Sequence, residues 1–215
     1  MTASVKAAFS CHQISAQRGG ITLYERVGFS LNEGAVLVVT APNGIGKTTL
    51  LGQCAGFGGL HGGALHWFGA SVVSPHSYDG DMLYLGDTNG LYSELTVAEQ
   101  LTYIARVFGE KERLSATVRY LELEPYMDMH IATLSAGWKR RVALSRLLLI
   151  PALLWLLDEP FAHLDGHAQQ LVIGMIHSHA QRGGITILTA PHMEKPLHVH
   201  NTPVSLLQLT DFVPA

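Results

Sequence analysis

The sequence predicts an α/β fold organised around a mainly parallel β-sheet. Four short apolar runs, separated by stretches with helical spacing, carry this prediction: 36–40, 82–85, 153–157 and 185–188. Strands that are apolar on both faces are typical of parallel sheets covered by helices on either side. Apolar residues make up 47% of the 215 residues, which suffices for one sizeable core and excludes the composition of a disordered chain.

The first apolar run leads into a loop with the residues of a phosphate-binding site. The segment 41–49 places two glycines and a lysine between a predicted strand and a predicted helix start. Consecutive backbone N–H groups in such a loop form a cradle for phosphate oxygens. Lys47 is expected to contact the β- and γ-phosphates of a nucleotide, and the Thr48 hydroxyl to face Mg²⁺. The predicted nucleotide-binding residues here are Ala41, Pro42, Asn43, Gly44, Ile45, Gly46, Lys47, Thr48 and Thr49.

One position of this loop departs from the phosphate-loop pattern G-x-x-x-x-G-K-[ST]. The chain has Ala41 where the pattern has its first glycine. A methyl group fits there if the local φ is negative, and the phosphate-facing Gly44, Gly46 and Lys47 are all present. Nucleotide binding is therefore expected to survive the change.

A segment with helical periodicity separates the second apolar run from the third. Thr96 and Glu99 have the spacing of a capping box. Apolar residues then recur at i, i+3, i+4 and i+7, namely Leu101, Ile104, Ala105 and Phe108. We expect residues of about 88–150 to form a mainly helical lobe inserted into a core formed by about 1–87 and 151–215, the whole chain making a single domain.

The third apolar run delivers two acidic residues, Asp158 and Glu159, at its carboxyl end. Ligands of parallel α/β sheets bind beyond the carboxyl ends of the strands, so both side chains are expected to reach the phosphate site. Asp158 is expected to hold Mg²⁺ through water. Glu159 is expected to accept a proton from, or to orient, the water that attacks the γ-phosphate.

Composition and charge exclude several other classes of protein. Charged residues make up 14% of the chain, the net charge is −3, and no basic cluster is longer than 139–141, so no nucleic-acid partner is expected. The longest apolar run, 147–157, contains Pro151 and is too short for a membrane-spanning helix. Two cysteines and an N-terminus without a signal-peptide pattern predict a protein of the reducing cytosol.

A further helix start lies at Leu134-Ser135-Ala136-Gly137-Trp138. With the phosphate loop and the acidic strand end, it resembles the signature sequence of the ATP-binding cassette (ABC) ATPases, usually written Leu-Ser-Gly-Gly-Gln. The resemblance covers essentially the whole chain and implies a P-loop fold with an antiparallel β part near the N-terminus, ATP as the nucleotide and Mg²⁺ as cofactor. It also implies that two copies close head to tail, so that the N-terminus of this helix, which suits an anion, faces the nucleotide of the other copy. The residues acting in this way would be Ser135, Ala136, Gly137 and Trp138.

The same resemblance assigns Asp165 to the D-loop and gives His192 a hydrogen bond to the γ-phosphate, as a catalytic residue beside Glu159. Two positions depart from the family pattern. Asp87 stands where a Q-loop glutamine is expected, and an acid there can still hold Mg²⁺ or its water. The adenine-stacking aromatic residue is missing, and Arg18 lies at about that place. Its guanidinium plane can stack on a base, although an arginine solvated in a turn is the alternative.

Within that family, several segments are similar to the CcmA subfamily, the ATP-binding subunits of cytochrome c maturation and haem-exporter complexes. These segments are Ala136 in the signature, the basic run 139–147, and 153–161. The likeness implies CcmB- or CcmC-like membrane permease partners, a homodimer of ATPase subunits, and a peripheral position on the cytoplasmic face of the inner membrane. ATP hydrolysis would drive haem delivery or release of the haem chaperone, with no direct haem binding. The ATPase subunit of another small transporter and a soluble ABC ATPase outside transport stay open as alternatives.

Overall fold

The structure, a computed structural model, describes residues 7–191 and 197–214. The chain begins with a β-hairpin in which β1 (Phe9–Arg18) and β2 (Ile21–Leu31) pair antiparallel. The turn between them is Gly19-Gly20, with φ of 59° and 79°. Glycine adopts such positive φ values without strain, and a tight hairpin turn requires them.

The remaining strands and helices follow in chain order. They are β3 (Val36–Thr40), α1 (Lys47–Cys54), β4 (Ala64–Trp67), β5 (Ala70–Ser71), β6 (Met82–Leu85), α2 (Val97–Val107), α3 (Leu114–Tyr120), α4 (Ala136–Leu144), α5 (Arg146–Leu149), β7 (Leu154–Leu157), α6 (Gly166–Gln181), β8 (Ile185–Ala190) and β9 (Val204–Gln208). Short 3₁₀ turns lie at Pro75–Tyr78, Lys111–Arg113, Glu124–Tyr126, Ile131–Thr133 and Leu209–Phe212. In the described part of the chain, no helix is long and apolar enough to cross a membrane.

The strands form two sheets. Within the described ranges, one sheet has the order β6-β7-β8-β3-β9 with every neighbouring pair parallel, and the other has the antiparallel order β2-β1-β4-β5. The register places Leu157 between Leu85 and Leu188, so the carboxyl ends of β6, β7 and β8 meet at one edge. The predicted α/β fold, with a mainly parallel sheet and an antiparallel N-terminal part, is confirmed.

The central strands β3, β7 and β8 of the parallel sheet are buried on both faces, which explains why their sequences are mainly apolar. On β3, Val36 and Val38 pack with the residues of α2 to α6, whereas Leu37 and Val39 pack toward α1 and the antiparallel sheet. All four side chains are at most 2% exposed. The core therefore consists of two apolar layers, one on each side of the sheet.

The helices α2 to α5 all lie between β6 and β7 in the chain. The predicted capping box is confirmed, because the Glu99 N–H donates to Thr96 Oγ1 and the Thr96 N–H donates to Glu99 Oε2. Leu101, Ile104 and Ala105 are buried as predicted. Phe108 was predicted to share their face, and this is wrong: it caps the end of α2 and is 45% exposed. The division of the chain into a core and a helical lobe stays a prediction.

Candidate functional site

The loop between β3 and α1 lies at the carboxyl edge of the parallel sheet. Gly44 and Gly46 have φ of 88° and 108°, a backbone conformation that strains other residues. A Cβ on Gly46 would lie 3.1 Å from the ring of the buried Tyr24, so the loop rests directly on this tyrosine. Ala41 is buried and is not among the non-glycine residues with positive φ. The loop therefore accommodates the methyl group that departs from the phosphate-loop pattern.

The Lys47 ammonium lies inside this loop at the start of α1. Its Nζ donates to Ala41 O at 2.9 Å, to Asn43 Oδ1 at 3.2 Å and to Pro42 O at 3.4 Å, and it lies 3.7 Å from Glu159 Oε1. The side chain is only 6% exposed. A buried positive charge thus stands beside a helix N-terminus, where backbone N–H groups lack intrahelical partners, and the two together favour an anion.

Asp158 and Glu159 follow β7 at the same edge of the sheet. Asp158 is 1% exposed; its Oδ2 accepts from the Thr48 hydroxyl at 2.6 Å, and its Oδ1 accepts from the Thr189 hydroxyl. Glu159 has a positive φ of 44°, its N–H donates to Thr189 Oγ1 at 2.9 Å, and its side chain is 37% exposed. One acid is therefore fixed by two hydroxyls, while the other faces the opening beside Lys47.

A cavity of about 310 Å³ opens over these groups and brings most of the predicted residues together. Its lining includes both acids, Asp87, Arg18 and six loop residues, namely Asn43, Gly44, Gly46, Lys47, Thr48 and Thr49. Ala41, Pro42 and Ile45 are not part of the lining. The carbonyl oxygens of Ala41 and Pro42 instead accept hydrogen bonds from Lys47 Nζ. These two residues therefore help to position the lysine that lines the cavity.

The two positions that depart from the family pattern both lie on the cavity wall. Asp87 follows β6, and its Oδ1 accepts from the Thr88 N–H at 2.7 Å. Arg18, the last residue of β1, is exposed and lines the cavity together with Leu23. Sequence reasoning missed Leu23 and the supporting Tyr24, because β2 carries no motif and its relation to the loop appears only in the folded chain.

The residues present fit a magnesium ion. Thr48 Oγ1 and Asp158 Oδ2 are 2.6 Å apart on the cavity wall, and a hydroxyl with a carboxylate is a donor set that Mg²⁺ uses in nucleotide sites. Within residues 7–191 and 197–214, no group of three or more His, Cys, Asp or Glu side chains is arranged as a metal site. The ligands of an octahedral ion would also include phosphate oxygens and water, since Mg²⁺ usually keeps several waters in nucleotide sites.

The predicted signature and D-loop residues lie together, away from this cavity. Ser135 caps α4, because its side chain accepts from the Trp138 N–H. A Cβ on Gly137 would lie 2.8 Å from the carbonyl oxygen of His163, so only a glycine permits this close approach. A second cavity of about 210 Å³ is lined by Ser135, Gly137, Trp138 and Asp165, among others, and shares no lining residue with the first. Within one chain, the signature therefore does not reach the phosphate loop.

Arg141 links the signature helix to the D-loop. Its guanidinium bonds to Glu122 Oε2 at 2.8 Å and to Asp165 Oδ2 at 3.3 Å, and its Cζ lies 4.5 Å from the centre of the Trp138 ring. Asp165 caps α6 by accepting from the Ala168 N–H. That hydrogen bond, with the nearby Arg141 charge, lowers the pKa of Asp165. The signature Trp138 and the D-loop acid thus share one cationic neighbour, whereas Ala136 is an exposed residue at the start of α4.

Arg140 is a site residue that the sequence analysis did not predict. It is 2% exposed, and its two terminal nitrogens reach two separate segments. Nη1 donates to Gly86 O and Asn89 Oδ1, and Nη2 donates to Asp158 O at 2.7 Å and to Glu159 O at 3.0 Å. Arg140 is one of three consecutive basic residues, and the local sequence pattern does not indicate which of the three side chains is buried.

His192, the predicted switch histidine, lies outside the described residues, which stop at 191 and resume at 197. The preceding strand β8 ends at Ala190, which pairs with Thr40 at the end of β3. The chain therefore leaves the sheet at the edge where the phosphate loop begins. The role of His192 stays a prediction.

A glycine-containing loop around a buried lysine, together with two acids at the carboxyl end of β7 in the same parallel sheet, defines a P-loop ATPase. The profile of the ABC transporter family matches residues 24–162. The chain therefore belongs to the ABC transporter family, whose ATP-binding proteins bind and hydrolyse ATP.

Individual relatives agree with the resemblance to CcmA. The cytochrome c biogenesis ATP-binding export protein CcmA of Wolbachia pipientis wMel is 35% identical, over 83% of this chain and 87% of that protein. The protein CcmA 2 of Cupriavidus metallidurans is 37% identical over 88% and 92%, and CcmA of Albidiferax ferrireducens is 32% identical over 93% and 96%.

Solved structures of ABC ATP-binding proteins share the fold. An ABC transporter ATP-binding protein from Pyrococcus furiosus matches with a TM-score of 0.80 over 96% of this chain and 99% of that chain. At 21% identity, this match shows the fold alone. An ATP-binding subunit of an ABC transporter matches with a TM-score of 0.72 and 27% identity, over 85% and 79% of the two chains.

Proposed function

We propose that this chain is the ATP-hydrolysing subunit of an ABC exporter for cytochrome c biogenesis, coupling hydrolysis to haem delivery or release of the haem chaperone. The convergence of Lys47, Thr48, Asp158 and Glu159 on one cavity carries the proposal of hydrolysis. Identities of 32% to 37% with proteins named as cytochrome c biogenesis ATP-binding export proteins support the biological role.

ATP would bind with its phosphates in the loop 41–49. Lys47 would exchange loop carbonyl partners for the β- and γ-phosphate oxygens, which are stronger acceptors because they are charged. Arg18 would lie against the adenine at the rim of the cavity. Thr48 and Asp158, with Asp87 nearby, would hold Mg²⁺, which when bound neutralises phosphate charge.

Glu159 would act on the attacking water. Its carboxylate accepts a proton from this water as the water oxygen bonds to the γ-phosphorus and the bond from that phosphorus to the bridging oxygen breaks. ADP leaves with the electron pair of that bond, and the γ-phosphoryl group leaves as inorganic phosphate. Lys47 stabilises the charge on the transferred group, and His192 would add a hydrogen bond to it.

A second copy of the chain would complete the site. In the single chain, Ser135, Gly137 and Trp138 line a cavity separate from the phosphate loop. The N-terminus of α4 offers backbone N–H groups to an anion. A head-to-tail homodimer would place Ser135, Ala136, Gly137 and Trp138 of one copy against the γ-phosphate bound by the other, with Asp165 at the junction.

The membrane partners would be permease subunits of the CcmB or CcmC type, and the chain would be peripheral on the cytoplasmic face of the inner membrane. Haem would not contact this chain, and nucleic acid would not bind it. The support for these partners is the similarity of the chain to proteins named as cytochrome c biogenesis ATP-binding export proteins.

Co-purification tests the partner. The tagged chain is expressed in its source cells, membranes are solubilised in the presence of Mg-ATP, and co-purifying integral membrane proteins are identified by mass spectrometry. Recovery of cytochrome c maturation permease subunits is the expected result. Recovery of an unrelated permease would overturn the role in cytochrome c biogenesis while leaving the ATPase assignment intact, and recovery of no membrane protein would overturn the transport role. A tagged Lys47→Ala variant, which should bind ATP poorly, controls for nucleotide-dependent assembly.

A further inference from the structure

Among residues 7–191 and 197–214, Arg140 is a buried cation with no direct carboxylate partner. Its four hydrogen bonds go to uncharged oxygens. These are the backbone carbonyl oxygens of Gly86, Asp158 and Glu159, and the side-chain amide oxygen of Asn89. Burial lowers the pKa of its guanidinium, and the nearby charges of Asp158, Asp87 and Glu159 act in the opposite direction. Burying a charge in this way is unfavourable unless its environment compensates it, so the position calls for a structural or functional explanation.

The geometry of the guanidinium explains why an arginine stands here. Its planar fork presents donors in fixed directions and can bind two pairs of acceptors at once. Nη1 binds the segment after β6, and Nη2 binds the backbone after β7. Nε is buried and has no partner in the described part of the chain, so the two terminal nitrogens make all of the hydrogen bonds described for this side chain. A lysine ammonium at this position could not span both segments.

The backbone that Arg140 holds is strained. Glu159 has a φ of 44°, and a non-glycine residue in this region is held at an energetic disadvantage that only its surroundings maintain. Three contacts fix the backbone of this residue: the Glu159 N–H donates to Thr189 Oγ1, and the Glu159 carbonyl oxygen accepts from Arg140 Nη2 and from the Ala162 N–H at 3.0 Å. The direction in which the Glu159 carboxylate points depends on that backbone conformation.

We propose that Arg140 is a positioning residue for ATP hydrolysis, which holds the backbone of Asp158 and Glu159 so that the Glu159 carboxylate faces the attacking water. Arg140 does not line the nucleotide cavity, so it acts through Glu159. The inference rests on the proposed role of Glu159 as the group that accepts the water proton.

The chain offers a matched control in Arg146. Its guanidinium donates to the carbonyl oxygens of Asn89 and Gly90, in the same segment that Arg140 contacts, but makes no contact with Asp158 or Glu159. Arg146 is also largely desolvated, which lowers its pKa. Removing Arg146 thus removes a comparable arginine contact with the segment after β6. It leaves the contacts of the strained Glu159 backbone in place.

The test compares Arg140→Ala, Arg140→Lys and Arg146→Ala with the unaltered chain, each assayed with its co-purifying membrane proteins. The measurements are kcat and KM for Mg-ATP, affinity for a fluorescent ATP analogue, and thermal unfolding. For Arg140→Ala, we expect kcat to fall roughly 10- to 100-fold, the cost of a misplaced catalytic group, with KM and ATP affinity changed by less than about threefold. Arg146→Ala should keep kcat within about threefold.

Guanidinium ion supplies a readout that a merely structural role would not give. Guanidinium chloride at low millimolar concentration should restore part of the kcat of Arg140→Ala and leave that of Arg146→Ala unchanged. Unaltered kcat in Arg140→Ala, or equal losses of kcat and ATP affinity that guanidinium does not restore, would overturn the proposal. If Arg140→Ala does not fold, the test uses Arg140→Lys, which retains the charge and most of the side-chain stem. A folded lysine variant with unaltered kcat would also overturn the proposal.

A parallel Glu159→Gln variant separates this inference from the proposed function. Unaltered turnover in Glu159→Gln would remove Glu159 from hydrolysis and overturn both proposals. Lost turnover in Glu159→Gln, with unaltered kcat in Arg140→Ala, would overturn only the role of Arg140.

Discussion

Thr48 and Asp158 are 110 residues apart in the sequence, and the Thr48 hydroxyl donates a hydrogen bond of 2.6 Å to Asp158 Oδ2. The contact joins the start of α1 to the end of β7. Asp158 accepts a second hydroxyl from Thr189, so both of its oxygens are occupied within the chain. Glu159, the next residue, instead lies 3.7 Å from Lys47 and is partly exposed. The two adjacent acids therefore differ: Asp158 is held by two hydroxyls, whereas Glu159 is partly exposed beside the Lys47 ammonium.

Glu159→Gln should separate ATP binding from hydrolysis. The amide has the shape of the carboxylate but cannot accept the water proton, so kcat should fall at least about 100-fold. The phosphate loop is unchanged, so ATP affinity should stay within about threefold. Phosphate release and binding of a fluorescent ATP analogue measure the two quantities.

The matched control for this variant is Glu112→Gln. Glu112 is an exposed acid in the 3₁₀ turn before α3, and its replacement should leave both quantities unaltered. Full turnover in Glu159→Gln would mean that another group activates the water.

Arg18→Ala tests whether this arginine contacts the adenine. A guanidinium stacked on a base contributes about 0.5–1 kcal/mol at an exposed site, so ATP affinity should fall roughly two- to fivefold. The loss should occur for ATP and not for inorganic tripolyphosphate, which carries the phosphates without the base. Competition binding with the two ligands measures this difference.

Arg106→Ala serves as the control, because Arg106 is an exposed residue of α2 that does not line the cavity. Equal losses for ATP and tripolyphosphate in Arg18→Ala would point to a charge effect on the phosphates. Unaltered affinity for both would leave Arg18 as a solvated residue at the end of β1.

The sequence predicted those elements whose cause is local. β3, β7 and β8 are buried on both faces, and β6 alternates between buried and half-buried residues, so all four sequences are mainly apolar. The phosphate loop is contiguous in the chain. β9 was missed because Val204–Gln208 is a partly exposed edge strand whose pattern is not continuously apolar. The capping box of α2 was predictable because its two hydrogen bonds join residues three positions apart.

The missed site residues have distant partners. Tyr24 supports Gly46 from another strand, and Arg140 reaches Gly86 and Asp158 across 54 and 18 residues. No spacing rule connects such positions, since the fold alone brings them together. Arg18 and Asp87 were placed by comparison with a family pattern, and their presence on the cavity wall depends on how β1 and β6 pack around the loop.

Gly46→Ala should weaken both folding and nucleotide binding. An alanine at φ of 108° is strained, and its Cβ would lie 3.1 Å from the Tyr24 ring and 3.3 Å from Leu23. We expect the free energy of unfolding to fall by about 1–3 kcal/mol and ATP affinity to fall with it, because the loop must move. Urea denaturation and ATP-analogue binding measure these effects.

Gly52→Ala is the matched control on the same helix. Gly52 lies within α1, and a Cβ there would meet nothing within 4 Å. Alanine has the higher helix propensity, so this variant should be more stable by about 0.5–1 kcal/mol. If Gly46→Ala were as stable as Gly52→Ala, the close packing of the loop on Tyr24 would be contradicted.

His179 should make the stability of the protein depend on pH. Its ring stacks face to face on Trp155 with 3.7 Å between centroids, and its Nε2 lies 3.2 Å from Leu153 O, to which the neutral ring can donate. Burial lowers the pKa of His179 to about 4 from 6.5. Between these values the unfolded state binds a proton that the folded state does not, so the free energy of unfolding decreases as the pH falls from about 6.5 to about 4, by up to about 1.4 kcal/mol per pH unit. Above pH 6.5 the residue is neutral in both states and contributes no slope.

His179→Phe isolates this contribution, because phenylalanine preserves the stacking on Trp155 and does not titrate. Urea denaturation at pH 7.5, 6.0 and 5.0 should show a smaller loss of stability on acidification for the variant than for the unaltered chain. The other histidines are common to both proteins, so the difference between the two pH profiles belongs to His179. Parallel profiles would mean that His179 is protonated at nearly the same pH in the folded and unfolded states, and that its burial against Trp155 does not exclude the charged form.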